Sequence, residues 1–297
     1  MDIYRLSSDL KFVNQIGATL SVDERMRLEL GLQKITETNK FDQLLFWGRI
    51  EGVSKDYYIA LGLNFRENFE FPKKTFFWSS NDFNFSDLPE IDGEYQQQVD
   101  GMRFLFSGQH EKPLITVNNG ENEEEQQQEE NQEGEKPQEE SEDEDAEKKK
   151  PLKNFTELDR LAYTVRAIEN DCALAPIGAF KLTPTHELRY NDTFKGLSIE
   201  QAQSLEQYQH FRAPQTKEKQ DFIARNDALF HFNFLDTLTS DFPSGQWSVQ
   251  SDSSKTQATV RSLLWPGFLG YHRSNSKIFG YAYFGTGVKN TDLPFLL

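Results

Sequence analysis

Hydrophobic residues recur at helical spacing in three parts of the chain, each behind a residue that can start a helix. Ser21, Thr156 and Ser198 are each followed three positions later by an acidic or amide residue, the pattern of a capping box. Apolar residues every three or four positions then predict a helix over about 21–38 and further helices from 156 and from 198 onwards. A less regular pattern predicts one more helix over 217–229.

Short apolar runs rich in β-branched and aromatic residues predict strands. The runs 41–52 and 57–63 lie a short polar connection apart, which predicts an antiparallel hairpin. Both faces of this hairpin are largely apolar, so we expect it to be covered on both sides, either by its own domain or by a partner. Strict alternation along its first strand assigns Leu44, Phe46 and Ile50 to one face and Leu45, Trp47 and Arg49 to the other.

The end of the chain predicts two more hairpins, 247–250 with 256–265 and 268–273 with 278–284. Single strands are predicted over 74–79 and 102–106. In the last strand, alternation places Phe279, Tyr281 and Tyr283 on one face. The predicted fold class is α+β, with antiparallel hairpins or a meander and several packed helices.

Polarity is concentrated in one segment, residues 118–150. It holds 15 of the 48 acidic residues, and its net charge of about −11 accounts for most of the chain's −16. The segment has no aromatic residue and Ala146 is its single apolar one, so it cannot bury enough surface to offset the entropy of ordering. We therefore predict a disordered acidic insertion that interrupts a single domain formed by residues 1–117 and 151–297.

The residues offer little for catalysis or for binding a cofactor. Cys172 is the one cysteine, so an intramolecular disulfide or a cysteine-rich zinc site is excluded. The five histidines form no metal-binding motif. The glycines of 280–287 lack the lysine of a phosphate loop, since position 286 is Thr286. We predict no enzyme activity, no metal and no cofactor.

The distribution of charge and hydropathy excludes two classes of partner. Outside 118–150 the chain is close to neutral and has no basic stripe, so nucleic acid is not an expected partner. No stretch approaches the ~18 consecutive apolar residues of a membrane span, and the N-terminus has no apolar signal region, so we expect an intracellular protein that does not enter a membrane.

Aromatic residues make up 13% of the chain, and none lies in the acidic segment. Aromatic side chains dominate the energetics of cores and of protein interfaces. A chain this aromatic, without a catalytic constellation, is typical of an assembly subunit. The candidate core or interface anchors are Trp47, Tyr57, Trp265, Tyr281 and Tyr283, with a place in the core favoured for each.

Three segments resemble those of the radial spoke head protein 9 family. They are Phe46–Ala60 (FWGRIEGVSKDYYIA), Arg261–Gly267 (RSLLWPG) and Phe279–Leu297 (FGYAYFGTGVKNTDLPFLL). The resemblance covers roughly 41–89 and 155–297; the first forty residues match poorly, and the acidic insertion is not a feature of the family. The related spoke head 4/6 family shares the Phe-Trp-Gly and Leu-Trp-Pro-Gly themes, so a 4/6-type paralogue is the alternative within this resemblance.

The resemblance implies a structural subunit of the radial spoke head in the axoneme of motile cilia and flagella. Such a subunit would support spoke head assembly and relay signals from the central pair to the dynein motors. Its implied partners are spoke head 4/6-type subunits and MORN-repeat spoke head proteins, with the central pair as a facing surface. An alternative from another class is an acidic binding module or chaperone for basic proteins, acting through residues 118–150.

Overall fold

The computed structural model describes residues 1–14, 17, 19–65, 71–91, 93–115, 155–225 and 229–296. Its helices are α1 (Leu6–Asn14), α2 (Val22–Thr38), α3 (Gln96–Asp100), α4 (Glu157–Cys172), α5 (Ile199–Ala202) and α6 (Lys217–Ile223). Its strands are β1 (Gln43–Ile50), β2 (Tyr57–Asn64), β3 (Lys73–Ser79), β4 (Ser86–Asp87), β5 (Pro113–Ile115), β6 (Phe155–Thr156), β7 (Leu174–Pro176), β8 (Phe180–Leu182), β9 (Leu188–Tyr190), β10 (Tyr208–His210), β11 (Trp247–Ser251), β12 (Gln257–Ser262), β13 (Phe268–Arg273) and β14 (Phe279–Gly285). The predicted α+β class is confirmed.

The three predicted capping boxes all start helices. The hydroxyls of Ser21, Thr156 and Ser198 each accept a backbone N–H three residues on, and that residue's side chain accepts the N–H of the capping residue in return. The predicted helix over 217–229 is too long, because α6 ends at Ile223, and residues 226–228 lie outside the described part of the chain. Helix α1 has no capping box, and the sequence pattern did not reveal it.

Helix α2 buries only one of its apolar stripes. Its inner face consists of Leu28, Gly31, Leu32 and Ile35, whereas Val22, Met26 and Leu30 face solvent. Gly31 is required on the inner face, since a Cβ there would stand 2.5 Å from the carbonyl oxygen of Phe83. The buried stripe is thus the one whose glycine allows the backbone around Phe83 to approach the helix closely.

Eight of the described strands form one sheet in the order β11-β12-β13-β14-β1-β2-β3-β4. Neighbouring strands are antiparallel, except that β1 and β14 run parallel and pair Gly48 with Tyr283. Two meanders, one from each end of the chain, thus join at the centre of the sheet. The three hairpins predicted from the sequence are confirmed.

Each face of the sheet carries its own hydrophobic cluster. One cluster packs beneath α1 and α2 and includes Phe46, Tyr58 and Phe284. The other packs beneath α4 and includes Trp47 and Tyr283. The hairpin of β1 and β2 is therefore covered on both faces by its own chain. Phe279, Tyr281 and Tyr283 share the α4 face, as predicted.

The predicted faces of β1 are correct only for its first half. A bulge between Phe46 and Gly48 adds one residue to the strand, so the alternation reverses after Trp47. Ile50 consequently lies in the α4 cluster, whereas Arg49 lies over the ring of Phe284 on the opposite face. The prediction that grouped Ile50 with Phe46, and Arg49 with Trp47, is wrong because strict alternation does not survive a bulge.

The predicted disordered insertion, 118–150, lies outside the described residues. The residues that border it are paired, because β5 and β6 are antiparallel and Ile115 is opposite Phe155. Both ends of the long connection thus meet at one place, beside the start of α4.

Candidate functional site: aromatic anchors held by the α4 carboxylates

All five predicted anchors lie in the hydrophobic cluster under α4. The most exposed of them is Tyr281, at 8%. This degree of burial places the five side chains in the core of the chain and not on its surface. Their role as anchors stays a prediction, but their polar atoms show how the core is organised.

Glu169 is the centre of a buried polar cluster. Its carboxylate accepts hydrogen bonds from Trp47 Nε1 at 2.9 Å, Tyr281 Oη at 2.8 Å and Lys74 Nζ at 2.6 Å. The Glu169 side chain is 4% exposed and that of Lys74 19%. One carboxylate therefore connects α4 to β1, β3 and β14, and the lysine charge compensates its own.

Glu157 plays the same part at the other end of α4. One carboxylate oxygen accepts the Tyr57 hydroxyl at 2.7 Å and the Gly108 N–H at 2.8 Å. The other accepts both the N–H and the hydroxyl of Ser107, at 2.9 and 2.7 Å. Four donors thus satisfy a carboxylate that is only 1% exposed, and they attach β2 and the 107–108 loop to the helix.

Asp171 holds the fourth anchor. Its Oδ2 accepts Trp265 Nε1 at 2.9 Å and Lys289 Nζ at 3.2 Å, and Lys289 also lies over the Trp265 ring. The fifth anchor, Tyr283, bonds to the C-terminal segment instead. Its hydroxyl accepts the N–H of Gly287 at 2.9 Å, while its ring stacks on Trp47 at a centroid distance of 5.5 Å.

Sequence reasoning missed all three α4 carboxylates, Glu157, Glu169 and Asp171. A signal for two of them was present, since positions 157, 161, 165 and 169 are four apart and share one helix face. Leu161 and Val165 in the middle of that face are fully buried. A charged residue on the same helix face as buried apolar residues is expected to be buried too, and a buried charge needs hydrogen-bond donors or an opposite charge.

Arg160 explains why the predicted strand over 102–106 is absent. The guanidinium donates to the carbonyl oxygens of Phe104 at 2.7 Å and Met102 at 3.3 Å. It also lies over the rings of Phe104 and Phe106, with its Cζ 4.4 and 4.2 Å from their centroids. The segment's carbonyls thus bond to a side chain in place of a strand ladder, and Phe106 makes only an isolated bridge to Gly52.

Tyr57 and Glu157 keep fixed protonation states, as expected for a structural hydrogen bond and not for a pair that transfers a proton. Burial raises the pKa of Tyr57, and its bond to the Glu157 carboxylate raises it further. Burial would also raise the pKa of Glu157, but the hydrogen bonds from Ser107 and Tyr57 outweigh it and hold that pKa below its usual range. At neutral pH the tyrosine is a fixed donor and the glutamate a fixed acceptor, so neither is poised to exchange a proton.

The cysteine and two of the histidines considered for chemistry lie in buried surroundings. Cys172 is buried, and burial raises the pKa of its thiol, as expected for a structural cysteine. His210 Nε2 lies 2.9 Å from Asp241, and His272 Nε2 accepts the N–H of Leu197 at 3.0 Å. Within the described ranges, no group of three or more His, Cys, Asp or Glu residues could hold a metal ion.

Comparison with known proteins assigns the family. A family model described as radial spokehead-like protein matches residues 1–171. The chain belongs to that family. Among the helices that the structure describes, none combines the length and apolar composition needed to cross a membrane.

Relatives within the radial spokehead-like family match along the entire chain. The proteins named radial spoke head protein 9 homolog from Bos taurus and Homo sapiens are each 35% identical over 302 residues, covering all of both chains. The homolog from Danio rerio is 31% identical over 301 residues, covering all of this chain and 99% of its own. The predicted resemblance is thereby confirmed, and it extends to the first forty residues. These relatives carry the name of the 9-type protein and not of the 4/6 type.

Proposed function

We propose that this chain is a non-enzymatic structural subunit of the radial spoke head in the axoneme of motile cilia or flagella. Full-length similarity to proteins named radial spoke head protein 9 homolog carries the proposal. In this role the subunit supports spoke head assembly, and the assembled head relays signals from the central pair to the dynein motors. Its partners are spoke head 4/6-type subunits and MORN-repeat spoke head proteins.

The core contacts support a rigid single domain made of residues 1–117 and 151–297. Glu157 and Glu169, which follow the insertion, hold Tyr57 and Trp47, which precede it. The parallel pairing of β1 and β14 also joins the two ends of the chain. A mechanical relay needs a body that moves as a unit, and buried charge-assisted hydrogen bonds between distant segments supply that rigidity.

The test is expression of the chain in ciliated cells that lack their own homologue. We expect axonemes of the null cells to lose spoke heads and the expressed chain to restore them, as seen by electron tomography and beat frequency. Spoke heads that remain intact in the null axonemes would contradict the proposal. Failure of both 4/6-type and MORN-repeat proteins to co-purify with the chain would contradict the proposed partners.

The charge of residues 118–150 favours a second candidate, a binding module for basic proteins. Because Ile115 and Phe155 are paired across the ends of the connection, removing 118–150 leaves a short loop between fixed points. The matched control replaces the same residues with an uncharged Gly/Ser segment of equal length. If both variants restore spoke heads and beating, a function of the acidic segment as a binding module is excluded. If both variants fold but fail to restore them, the acidic segment is required and the structural role of the folded domain does not explain the function alone.

A further inference from the structure

Strand β11 is an edge of the eight-stranded sheet, and its outward backbone groups have no hydrogen-bond partner among the described residues. The Leu263 N–H donates to the Gln246 carbonyl at 2.8 Å, and the Asp252 N–H donates to the Gln257 carbonyl at 3.0 Å. Backbone groups of an antiparallel strand point alternately toward one neighbour and the other, and these two bonds show which residues point toward β12. Between them, Ser248 and Gln250 direct their N–H and C=O groups toward β12. The backbone N–H and C=O groups of the alternate residues, Trp247, Val249 and Ser251, therefore point away from the sheet. No described residue forms a hydrogen bond to these groups.

The opposite edge of the same sheet is protected against further pairing. Its last strand, β4, has only two residues, both exposed, and one of them is Asp87. The neighbouring β3 begins with Lys73, whose side chain is also exposed. A very short terminal strand and charged residues are the usual means of keeping an edge from extending.

Strand β11 has none of these protections. The sequence Trp-Ser-Val-Gln-Ser contains no charged residue and no proline, and its pairing with β12 runs from Trp247–Ser262 to Ser251–Ala258 without a bulge. Three N–H and three C=O groups are thus presented in regular order. Such an edge accepts another strand.

We propose that β11 pairs with β11 of a second copy of this chain, in antiparallel orientation about a two-fold axis at Val249. The Val249 residues of the two copies exchange both backbone hydrogen bonds, and Trp247 pairs with Ser251 of the second copy. Every outward group of one strand then meets its complement on the other, so the surface is self-complementary. This inference goes beyond the proposed function and does not depend on it.

The position of the acidic connection does not oppose a second copy as the occupant. The acidic connection leaves the described chain at β5 and β6, which lie near β2 and β3 through the Tyr57–Glu157 bond and the contact of His110 with Trp78. Strand β11 is five strands away from β2, or about 24 Å at the usual ~4.8 Å spacing. That distance exceeds a Debye length of about 8–10 Å, so the attachment points of the two acidic segments do not oppose pairing.

The pairing is expected to be weak for the isolated chain. One five-residue strand buries less than the roughly 800 Å² per partner of a stable interface. We therefore expect a dissociation constant between micromolar and millimolar, visible as a rise in mass with concentration. Sedimentation equilibrium of the full chain up to about 1 mM measures it directly.

The proposed register places Ser248 directly opposite Gln250 of the second copy, with both side chains on one face. This contact allows a matched pair of variants, Ser248→Glu/Gln250→Lys and Ser248→Glu/Gln250→Glu. The first creates two opposite-charge contacts per dimer and the second two like-charge contacts. Both share Glu at position 248, which lies beside Arg261 of β12, and they differ only at the exposed position 250.

We expect the first variant to dimerise at least about tenfold more tightly than the second, with the native chain between them. Raising the salt concentration should reduce the difference. Circular dichroism checks that both variants are folded. A native chain that stays monomeric to about 1 mM would overturn the proposal and leave the edge for a strand of another protein. Equal dimerisation of the two variants would also overturn it, because self-association would then use another surface.

Discussion

Replacing Glu169 with Gln tests whether the α4 carboxylates hold the core together. The substitution keeps the size of the side chain but removes its charge, and it turns an N–H₂ group toward donors. Trp47 Nε1, Tyr281 Oη and Lys74 Nζ then compete for one amide oxygen. Because the site is buried, the donors that lose the competition are left without water.

The expected loss follows from the contacts. A hydrogen bond to a charged group contributes about 1.5–3 kcal/mol, and removing one partner of a buried ion pair costs about 3–5 kcal/mol. Lys74 is 19% exposed and keeps its 2.8 Å bond to the Phe211 carbonyl, so part of its charge stays solvated. We expect Glu169→Gln to lower the free energy of unfolding by about 3 kcal/mol, and Tm by roughly 6–12 °C.

Urea unfolding followed by circular dichroism measures this loss, with thermal unfolding as a second readout. The matched control is Asp171→Asn on the same helix, whose side chain is 27% exposed, so we expect a loss of at most about 1 kcal/mol. Adding Lys74→Met to Glu169→Gln should recover part of the stability, because it removes the uncompensated charge. A Glu169→Gln loss no larger than that of Asp171→Asn would refute the reasoning.

Three further outcomes test other parts of the fold. Burial lowers the pKa of His272 to about 4, so the folded state binds fewer protons than the unfolded state. Stability from neutral His272 is complete above its ordinary pKa of 6.5 and is lost as pH falls toward 4. We expect His272→Gln to flatten the pH dependence of urea unfolding in that window by about 1.4 kcal/mol per pH unit; an unchanged slope contradicts this. A Cβ at Gly48 would stand 2.1 Å from the Tyr283 carbonyl oxygen, whereas one at Gly93 meets nothing within 4 Å. Gly48→Ala should therefore lower the free energy of unfolding by more than about 3 kcal/mol and Gly93→Ala by less than about 1 kcal/mol; similar losses would show that the β1–β14 approach is not tight. Tyr57→Phe removes one of the four donors to Glu157 and should lower the free energy of unfolding by about 1.5–3 kcal/mol; a neutral result in urea unfolding would show that the other three suffice.

The helix starts and the C-terminal hairpins were predictable because local rules govern them. A capping box needs a hydroxyl and a carboxylate or amide three residues apart, and both groups are in the same short segment, as at Ser21 and Glu24. A hairpin needs two β-forming runs and a turn, as over 268–273 and 278–284. The family resemblance likewise depended on segments that can be read without a structure.

The candidate site was predictable only in part. The aromatic anchors stand out by type, but their partners Glu157, Glu169 and Asp171 looked like ordinary polar residues of an amphipathic helix. Their donors come from β1, β2, β3, β14, the 107–108 loop and the segments after β12 and β14, up to 122 residues away in sequence, as for Trp47 and Glu169. No local pattern reports such a contact, because it exists only once the sheet has formed.

The sequence by itself determined the α+β class, the capped helix starts, the hairpins and the family, since these depend on neighbouring residues. Tertiary structure alone decided the parallel pairing of β1 with β14, which joins the two ends of the chain. It also decided the bulge after Phe46, which moves Ile50 to the α4 face and Arg49 to the other. Gly48 lies at both features, where its backbone closely approaches Tyr283, and that approach depends on packing across the sheet and not on the order of residues along a strand.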